Sequence, residues 1–568
     1  MRTVCRLMPA EDEVWVYRVP TAGTGAWKRR GVPDLPPYAP PAPPPPVDPP
    51  PTDTGTTPPP TPPTTARNPE LPFELEPLRA QMAASVRKCF AHYFYTFPLA
   101  PANGEDWWKT HWLPKGGVLG GTGAKMSATE VTYGGETRDR PMPIPALNRA
   151  AGFEVVDKVV EVRQARAAGL DGFMPDVLQV GAGKQRWTQH VELMDAIAQV
   201  NDPTFKLVPM VDSLASASSD QTLLADHMDI TFNHASSFKL GDGSKVLAVY
   251  APERAPANTS TWGATGWGNV LTRLRTTHGH VVNFLPCFLE SWTGTNTAQA
   301  FQSMSWMMSR WGDRDPNASG ANTVNNRLAP QTAHSGGWAN SLIAPAGVKW
   351  MHPVSVGDSR PNQGNFYENL GWKQLQASWL AAIDGGADWV QIPTWSDYAE
   401  HAHIGVSANH GWALLDVSAY FMARWKLGYY PSIVRDALYL QHRIHPTTGV
   451  TYTGTGQTRF MTVRANTTPL ANIVSVAAFL TAPATVNVTV GGVTTTPATG
   501  NPAPAGFSIH EVPLRVGSIR AEAVRSGSAV SAVVSPYAVS ATQVTDDYNY
   551  RAVSSLRPAV SNASTTPA

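Results

Sequence analysis

The segment TWSDYAEH, residues 394–401, places two carboxyl side chains, Asp397 and Glu400, three residues apart. If the chain turns here as a helix does, both side chains lie on one face. Two neighbouring carboxyl groups raise the pKa of one of them, which can then act as an acid near neutral pH. The same spacing is typical of an Asp that caps a helix and a Glu in its first turn. The motif therefore predicts either an acid–base pair or the start of a helix.

Acidic residues lie at or after the ends of apolar runs along the chain. When the pair above is included, seven of eight such runs have one. Carboxylates are rarely placed in a core, and a purely structural role would not favour one end of the strands. Glycoside hydrolysis needs one carboxylic acid to protonate the leaving oxygen and one carboxylate as base or nucleophile. These additional acidic residues are Asp176, Asp212, Glu253, Glu290, Asp313, Asp315 and Asp358.

Clustered carboxylates also bind metal ions, and histidines could complete such a site. The sequence has no tight metal-ligand motif, so we expect no metal and no cofactor. The histidines that could join a metal site are His92, His352, His401 and His403.

Eight apolar runs predict the strands that position these side chains. Nearly continuous apolar runs are typical of parallel strands buried on both faces. Segments with helical periodicity lie between several of them, for example 154–169 and 369–384. The alternation predicts a (β/α)8 TIM barrel, in which the carboxyl ends of all strands meet at one rim. The runs are Cys89–Tyr95, Gly172–Leu178, Phe205–Asp212, Val246–Glu253, His280–Phe288, Ser303–Trp311, Val348–Val356 and Trp389–Asp397.

The remaining chain divides by composition into four further segments. About a third of the 51 prolines fall in residues 33–68, which predicts an extended linker. It separates a short docking segment, residues 1–32 with a strand at Val14–Val19, from the barrel, residues 69–432. Alternating β-branched segments predict an antiparallel β-sandwich over residues 433–545. Residues 546–568 are expected to form a flexible tail.

The charge balance excludes several classes of partner. The 568 residues carry 44 Lys+Arg and 43 Asp+Glu, a net charge of +1, without a basic run for nucleic acid or anionic membranes. No apolar stretch approaches the roughly 18–20 residues of a membrane span. The 3 cysteines are too few and too far apart for a disulfide framework. Acidic residues at 11–13 precede any apolar region, so we expect no conventional signal peptide.

Four ordered motifs resemble glycoside hydrolase family 71, the α-1,3-glucanase or mutanase family, in its bacterial branch. They are CFAHYFY (89–95), AGLDGFMPDVL (168–178), KWMHPVSVGDSRPNQG (349–364) and DGGADWVQIPTWSDYAEH (384–401). The resemblance implies a (β/α)8 barrel that hydrolyses α-1,3-glucan with inversion and without a cofactor. It also implies that Asp397 and Glu400 of the W-N-D-Y-x-E signature form the catalytic pair. Ser396 stands where the signature has Asn.

We therefore assign Glu400 as the general acid and Asp397 as the general base, with the opposite assignment still open. Asp176, Asp212 and Glu253 are candidates for positioning substrate or for the base. The expected contacts to sugar subsites are His92, Tyr93, Trp306, Arg360 and Trp395.

Two other hypotheses remain open at this stage. An extracellular polysaccharide substrate, a small head and a Pro-rich spacer suit a subunit of a larger assembly, such as a bacteriophage minor tail protein that degrades a host cell-surface glycan. In that case residues 1–32 would contact an assembly partner, and the protein would be virion-associated. Alternatively, the chain is a structural protein that binds glycan without cleaving it.

Overall fold

The computed structural model divides the chain into two compact units, Met1–Thr65 and Ala66–Ala568. In the first, Val14–Arg18 pairs antiparallel with both Thr3–Leu7 and Trp27–Arg29, which confirms the predicted strand near Val14. The Pro-rich linker lies outside the described residues. These are 3–7, 14–18, 27–29, 70–97, 126–142, 152–215, 220–254, 262–289, 297–312, 314–315, 347–454, 456–465, 467–498 and 500–557.

The second unit begins with a closed barrel of eight parallel strands, as the apolar runs predict. The eighth strand pairs with the first, and the first with the second, which closes the sheet. The third strand is in two parts, Lys206–Leu207 and Met210–Asp212. The other seven, in order, are Lys88–Tyr93, Gly172–Val177, Lys245–Tyr250, Val282–Phe288, Met307–Arg310, Lys349–Pro353 and Trp389–Ile392.

Helices follow the strands, and the two predicted from periodicity are confirmed as Phe153–Ala167 and Trp372–Asp384. Among the described residues, none of the helices has the length and apolar character needed to cross a bilayer. The others are Arg79–Ala84, Ala128–Thr132, Gln185–Val200, Gln221–Asn233, Gly263–Thr276, Thr297–Gln302 and Ala413–Leu427, with 3-10 turns at Glu76–Leu78 and Pro361–Gln363.

Alternate side chains of the barrel strands fill its interior, while their neighbours pack against the helices. In the first strand, Phe90 belongs to the interior cluster, whereas Cys89, Ala91 and Tyr93 belong to the outer one. Because side-chain direction alternates, His92 faces the inside of the barrel. This alternation decides which residues near a strand end can reach the rim.

The β-sandwich consists of two four-stranded antiparallel sheets, which confirms the fold predicted for this part of the chain. The last strand of the first sheet, Arg551–Ser554, lies in the segment that we expected to be a flexible tail. That expectation is wrong for this strand, because Asp547 pairs with the buried Arg551 side chain and Val553 packs in the core. In sheet order, the strands are Gly506–Pro513, Ile473–Leu480, Ala437–His442 and Arg551–Ser554, then Val493–Thr495, Thr485–Val490, Ile519–Arg525 and Ser528–Val534.

Both faces of the first sandwich sheet are buried. Leu438 and Leu440 point toward the second sheet, whereas Ala437 and Tyr439 join the core of the barrel's helical layer. The Trp372 indole N–H donates to the Tyr439 carbonyl at 2.9 Å. The sandwich is therefore packed against the barrel and shares its outer core.

Short strands also join the sandwich to the barrel rim. Ser359–Arg360 pairs with Asn365–Phe366, which pairs with Thr462–Val463 from the sandwich region. A second small pair joins Thr451–Tyr452 to Thr542–Gln543. The loop after the seventh barrel strand is thus held by a segment from outside the barrel.

Candidate active site

Asp397 and Glu400 lie on a single tight turn after the eighth strand. The Asp397 backbone N–H donates to Thr394 Oγ1 at 2.8 Å, and the Glu400 backbone N–H donates to Asp397 Oδ1 at 2.9 Å. Asp397 thus accepts a hydrogen bond as a helix cap does. The turn ends after His401, however, and the next helix begins only at Ala413. The local bonding therefore fixes the two carboxyl groups relative to each other without starting a helix.

Hydrogen bonds to the first barrel strand anchor the same turn. Ser396 Oγ accepts from the Phe94 backbone N–H at 3.0 Å and donates to the Phe94 carbonyl at 2.9 Å. The Trp395 backbone N–H donates to the His92 carbonyl at 2.6 Å. The serine that departs from the family signature therefore has a structural role in this chain.

Two arginines and a third carboxylate surround Glu400. Arg360 donates to both oxygens of Asp358, with distances between 2.8 and 3.0 Å, and to Glu400 Oε2 at 2.6 Å. Arg314 also pairs with Asp358, and its Nη1 lies 3.5 Å from Glu400 Oε2. Asp358 thus receives most of the hydrogen bonds from the two guanidinium groups, and Glu400 lies at the edge of this network.

The charges in this network favour one retained proton. Two guanidinium groups, Arg314 and Arg360, face three carboxyl groups, Asp358, Asp397 and Glu400. Although burial opposes its charge, the two arginines hold the pKa of Asp358 below its ordinary value. Burial raises the pKa of Asp397 to about 6, and burial together with the charges of Asp397 and Asp358 raises the pKa of Glu400 to about 7.

The two members of the pair differ in access to solvent. Asp397 is 5% exposed, whereas the Glu400 side chain retains 26% of its accessible area. Glu400 also has the higher pKa of the two, so it keeps a proton more readily than Asp397 does. Two neighbouring carboxyl groups with different pKa values are what general acid–base chemistry uses.

Asp176, Asp212 and His92 are close to this pair, as expected for residues at the rim. His92 Nε2 lies 3.8 Å from Asp176 Oδ1, and both side chains are buried. Burial and the nearby charges of Asp212 and Asp397 raise the pKa of Asp176 well above its ordinary value. Burial also raises the pKa of Asp212, which accepts a hydrogen bond from the Leu214 N–H at 2.7 Å. Asp176 therefore tends to hold a proton, so a hydrogen-bonding role suits it better than that of a base.

Three members of the site were missed by reasoning from carboxylates. Trp311 packs edge-on against His92 and Tyr250, with ring centroids 4.7 and 4.8 Å apart. Burial, followed by the charges of Glu400 and Asp212, raises the pKa of Tyr250 above its ordinary range. The third missed residue is Arg314. Trp311 ends a predicted strand, Arg314 follows the same strand, and Tyr250 lies near the end of another; these positions were the available signal.

Two predicted sugar contacts instead pack between the barrel and its helices. The Tyr93 hydroxyl donates to Glu161 Oε2 at 2.5 Å, and the Trp395 indole N–H donates to Glu161 Oε1 at 3.1 Å. Trp395 is only 1% exposed, and a Cβ at Gly405 would lie 2.7 Å from its carbonyl oxygen. The structure thus contradicts the expected contact role of Tyr93 and Trp395, because both rings point away from the barrel interior.

Trp306 is also not brought to the site. It precedes the sixth strand and packs edge-on against Trp389, the first residue of the eighth strand, at 5.1 Å. The Lys349 ammonium, at the start of the seventh strand, lies 4.9 Å from the Trp306 ring. Trp306 is therefore at the amino end of the barrel, opposite the carboxyl pair, and the expectation of a sugar contact is wrong.

The other rim carboxylates and histidines have different partners. Glu253 accepts a hydrogen bond from the Leu289 N–H at 2.8 Å, and Asp315 accepts one from the Thr468 N–H of the sandwich at 3.0 Å. His352 accepts from the Trp350 indole, and His401 Nδ1 lies 2.6 Å from the Ser359 carbonyl. Glu290 and Asp313 lie outside the described residues. Of the four histidines considered for a metal site, His92 lies near the carboxyl pair, and His403 Nε2 lies 2.7 Å from Asp139 Oδ2.

A parallel barrel with paired carboxyl groups, guanidinium groups and aromatic rings at the carboxyl end of its strands has the features of a glycoside hydrolase site. The sequence matches the family model described as "Glycosyl hydrolase family 71" over residues 147–565. The chain therefore belongs to glycosyl hydrolase family 71 and is a glycosidase. The family resemblance noted in the sequence is confirmed, and the substrate class is a polysaccharide.

Solved structures of other glycosidases are similar to this chain. A GH99 endo-alpha-mannosidase from Bacteroides thetaiotaomicron aligns over 59% of this chain and 97% of its own, at 13% identity and a TM-score of 0.41. A Cellulomonas fimi endo-beta-1,4-mannanase double mutant aligns over 64% and 86%, at 12% identity and a TM-score of 0.33. A search of the curated proteins gave no match.

Substitution of two tryptophans separates packing from ligand contact. Trp395→Phe leaves buried Glu161 Oε1 without its donor, so we expect a loss of about 1–3 kcal/mol in the free energy of unfolding with little change in KM. Trp311→Ala removes a ring beside the carboxyl pair, and we expect KM to rise roughly tenfold, equivalent to about 1.4 kcal/mol. Denaturant unfolding and steady-state hydrolysis measure both effects. A raised KM in Trp395→Phe with unchanged stability would contradict this division.

Proposed function

We propose that this glycosidase cleaves α-1,3-glucan with inversion of configuration. Glu400 donates its carboxyl proton to the glycosidic oxygen as the bond from that oxygen to the anomeric carbon breaks. Asp397 accepts a proton from a water molecule whose oxygen attacks the opposite face of the same carbon. The products are a β-configured reducing end and a free hydroxyl, and solvent returns the proton from Asp397 to Glu400.

The observation that carries the proposal is the unequal environment of the two carboxyl groups. Asp397 is buried and fixed by the Glu400 N–H, whereas Glu400 is accessible and has the higher pKa of the two. Their positions in the family signature support the same pair.

Buried polar atoms beside the pair support a hydroxyl-rich ligand. Among the described residues, Asp176 Oδ1, His92 Nδ1 and Arg314 Nη2 have no hydrogen-bond partner. Buried polar groups are normally satisfied, and sugar hydroxyls can both donate and accept. Trp311 adds an apolar ring surface to the same region. Such a mixture of unsatisfied polar atoms and an aromatic ring suits a neutral carbohydrate.

Removing either carboxyl group tests the catalytic pair. We expect Asp397→Asn and Glu400→Gln each to lower kcat on α-1,3-glucan by roughly 100-fold to 10,000-fold while the circular dichroism spectrum is retained. Asp229→Asn is the matched control, since Asp229 pairs with His280 on the helical layer and should leave activity unchanged. Release of reducing ends measures hydrolysis, and wild-type activity in either variant would remove that residue from the mechanism.

An activated substrate then separates the two roles within the same experiment. An α-1,3-oligoglucosyl fluoride has a leaving group that needs no general acid, so Glu400→Gln should hydrolyse it far better than Asp397→Asn does. The reverse ranking would exchange the assignments. Parallel assays on α-1,4- and α-1,6-glucans test the linkage, and NMR of the first-formed anomer tests inversion.

The ion network predicts a pH dependence with a defined sign. Hydrolysis requires ionised Asp397 and protonated Glu400, so kcat/KM should follow a narrow bell between the pKa values of about 6 and about 7. The positive charge of Arg360 lowers both pKa values, so Arg360→Met should move both limbs to higher pH. The negative charge of Asp358 raises both, so Asp358→Asn should move both limbs to lower pH, each by about one pH unit.

Arg360→Met and Asp358→Asn control for each other, because their pH–rate profiles should shift in opposite directions. Arg525→Met, which breaks the pair with Asp436 on the sandwich surface, should leave the bell in place. Shifts of both variants in the same direction would mean that this network does not set the two pKa values.

We also propose that residues 1–32 dock the enzyme onto a larger assembly, such as a phage tail. The proposal is supported by the separate three-stranded sheet and by the Pro-rich linker behind it. Because the carboxyl pair lies in the other unit, we expect a chain of residues 69–568 to hydrolyse glucan at the full-length rate. When either chain is supplied during phage assembly, mass spectrometry of purified phage particles should detect the full-length protein and not the shortened chain. Equal incorporation of both would contradict the docking role.

A further inference from the structure

Three metal-ligating side chains lie together behind the catalytic turn, outside the carboxyl pair. His403 Nε2 is 2.7 Å from Asp139 Oδ2, and His410 Nδ1 is 3.7 Å from the same oxygen. The ligand atoms of the three residues all lie within 4.8 Å of one another. Asp139 and His403 are buried, and the His410 side chain is 11% exposed.

The hydrogen bonding of His410 leaves a bare nitrogen facing this cluster. His410 Nε2 lies 3.1 Å from the Tyr550 carbonyl, which can only accept, so Nε2 carries the proton. With the proton on Nε2, the neutral imidazole has its lone pair on Nδ1. Nδ1 is buried and has no hydrogen-bond partner among the described residues. A lone pair that faces a carboxylate oxygen is unfavourable unless a cation lies between them.

Backbone hydrogen bonds orient the Asp139 carboxylate toward the same cluster. Asp139 Oδ1 accepts the backbone N–H groups of Arg140 and Asn409 at 2.7 and 3.0 Å, which directs Oδ2 toward the two imidazoles. Metal-binding histidines typically donate their other N–H to a carbonyl, and metal-binding carboxylates are themselves hydrogen-bonded. His410 and Asp139 both follow this pattern.

We propose that Asp139 Oδ2, His403 Nε2 and His410 Nδ1 bind a zinc ion, with a water molecule as its fourth ligand. Two imidazoles and one carboxylate are a ligand set that suits Zn²⁺ and disfavours Ca²⁺ or Mg²⁺. Tetrahedral bonds of about 2.0 Å place ligand atoms about 3.3 Å apart, between the two distances observed here. His403 binds by moving its ring proton from Nε2 to Nδ1, so no net proton is released.

The ion would join two separate parts of the chain, the segment with Asp139 and the loop with His403 and His410. His403 stacks on Tyr398, at 4.0 Å between ring centroids, and Tyr398 lies between the two catalytic carboxyl residues in sequence. Asp139 comes from the segment before the first long helix, and His410 bonds the sandwich through Tyr550. The zinc therefore stabilises the catalytic turn and takes no part in the chemical step, and the inference does not depend on which glucan is cleaved.

Metal analysis of the wild-type enzyme tests the site directly. Full-length protein, dialysed with EDTA and then with ZnCl2, should contain about one zinc per chain by plasma mass spectrometry. EDTA should lower Tm by a few degrees, and ZnCl2 but not CaCl2 should restore it. Anomalous scattering at the zinc edge from a crystal grown with ZnCl2 should locate the ion between these three residues. A zinc-free wild type with no response of Tm, or an ion found elsewhere, would overturn the proposal.

Substitution of the proposed ligands tests whether the zinc-dependent rise in Tm comes from this site. Asp139→Asn and His410→Gln should abolish the zinc-dependent rise in Tm. His510→Gln is the matched control, since His510 is also buried with an unpartnered Nδ1, bonds Ser508 through Nε2, and has no carboxylate beside it in the described structure. We expect this control to keep its zinc response. If either ligand variant fails to fold, the wild-type metal content and the anomalous map still decide the result.

Discussion

The charge balance around Asp358 is the constraint on which the rest of the site depends. Burying several carboxyl groups at one rim is unfavourable unless cations or protons compensate them. Arg314 and Arg360 supply two positive charges, and Asp358 is bonded to both. Two positive charges cannot neutralise three carboxylates, so one negative charge on Asp397 or Glu400 would have no counterion. A retained proton follows from this balance, and that proton is what an acid catalyst needs.

The sandwich is part of this arrangement, since it helps to hold Arg360. Arg360 lies on a two-residue strand whose partner strand pairs with Thr462–Val463. Nearby, buried Arg443 and Glu368 form an ion pair at 2.8 Å between the sandwich and the loop after the seventh barrel strand. A barrel without the sandwich would lose one support of the guanidinium that faces Glu400. The two domains are therefore better regarded as one folding and functional unit.

The sequence was sufficient for the barrel and for the turn that carries Asp397 and Glu400, because both depend on local patterns. Continuous apolar runs identify buried parallel strands, and a carboxylate after such a run must lie at the rim. Single side chains were harder to place. Tyr93 and Trp395 are at the right end of their strands but point outward, and Trp306 is at the wrong end of its strand. Arg314 and Trp311 were missed because carboxylates were sought, whereas the pKa of a carboxyl group depends equally on its cations and apolar neighbours.

The role of Ser396 in the motif is clear only from its hydrogen bonds to the backbone at the end of another strand. The serine hydroxyl pairs with both the N–H and the carbonyl of Phe94, as an added residue of a strand would. An Asn side chain also has a donor and an acceptor, but it is longer and presents them in a planar amide. The Ser396 hydroxyl therefore ties the turn to Phe94, two positions after the inward-facing His92. These two bonds give residue 396 a structural role in the turn, which accounts for a side chain with both a donor and an acceptor at this position.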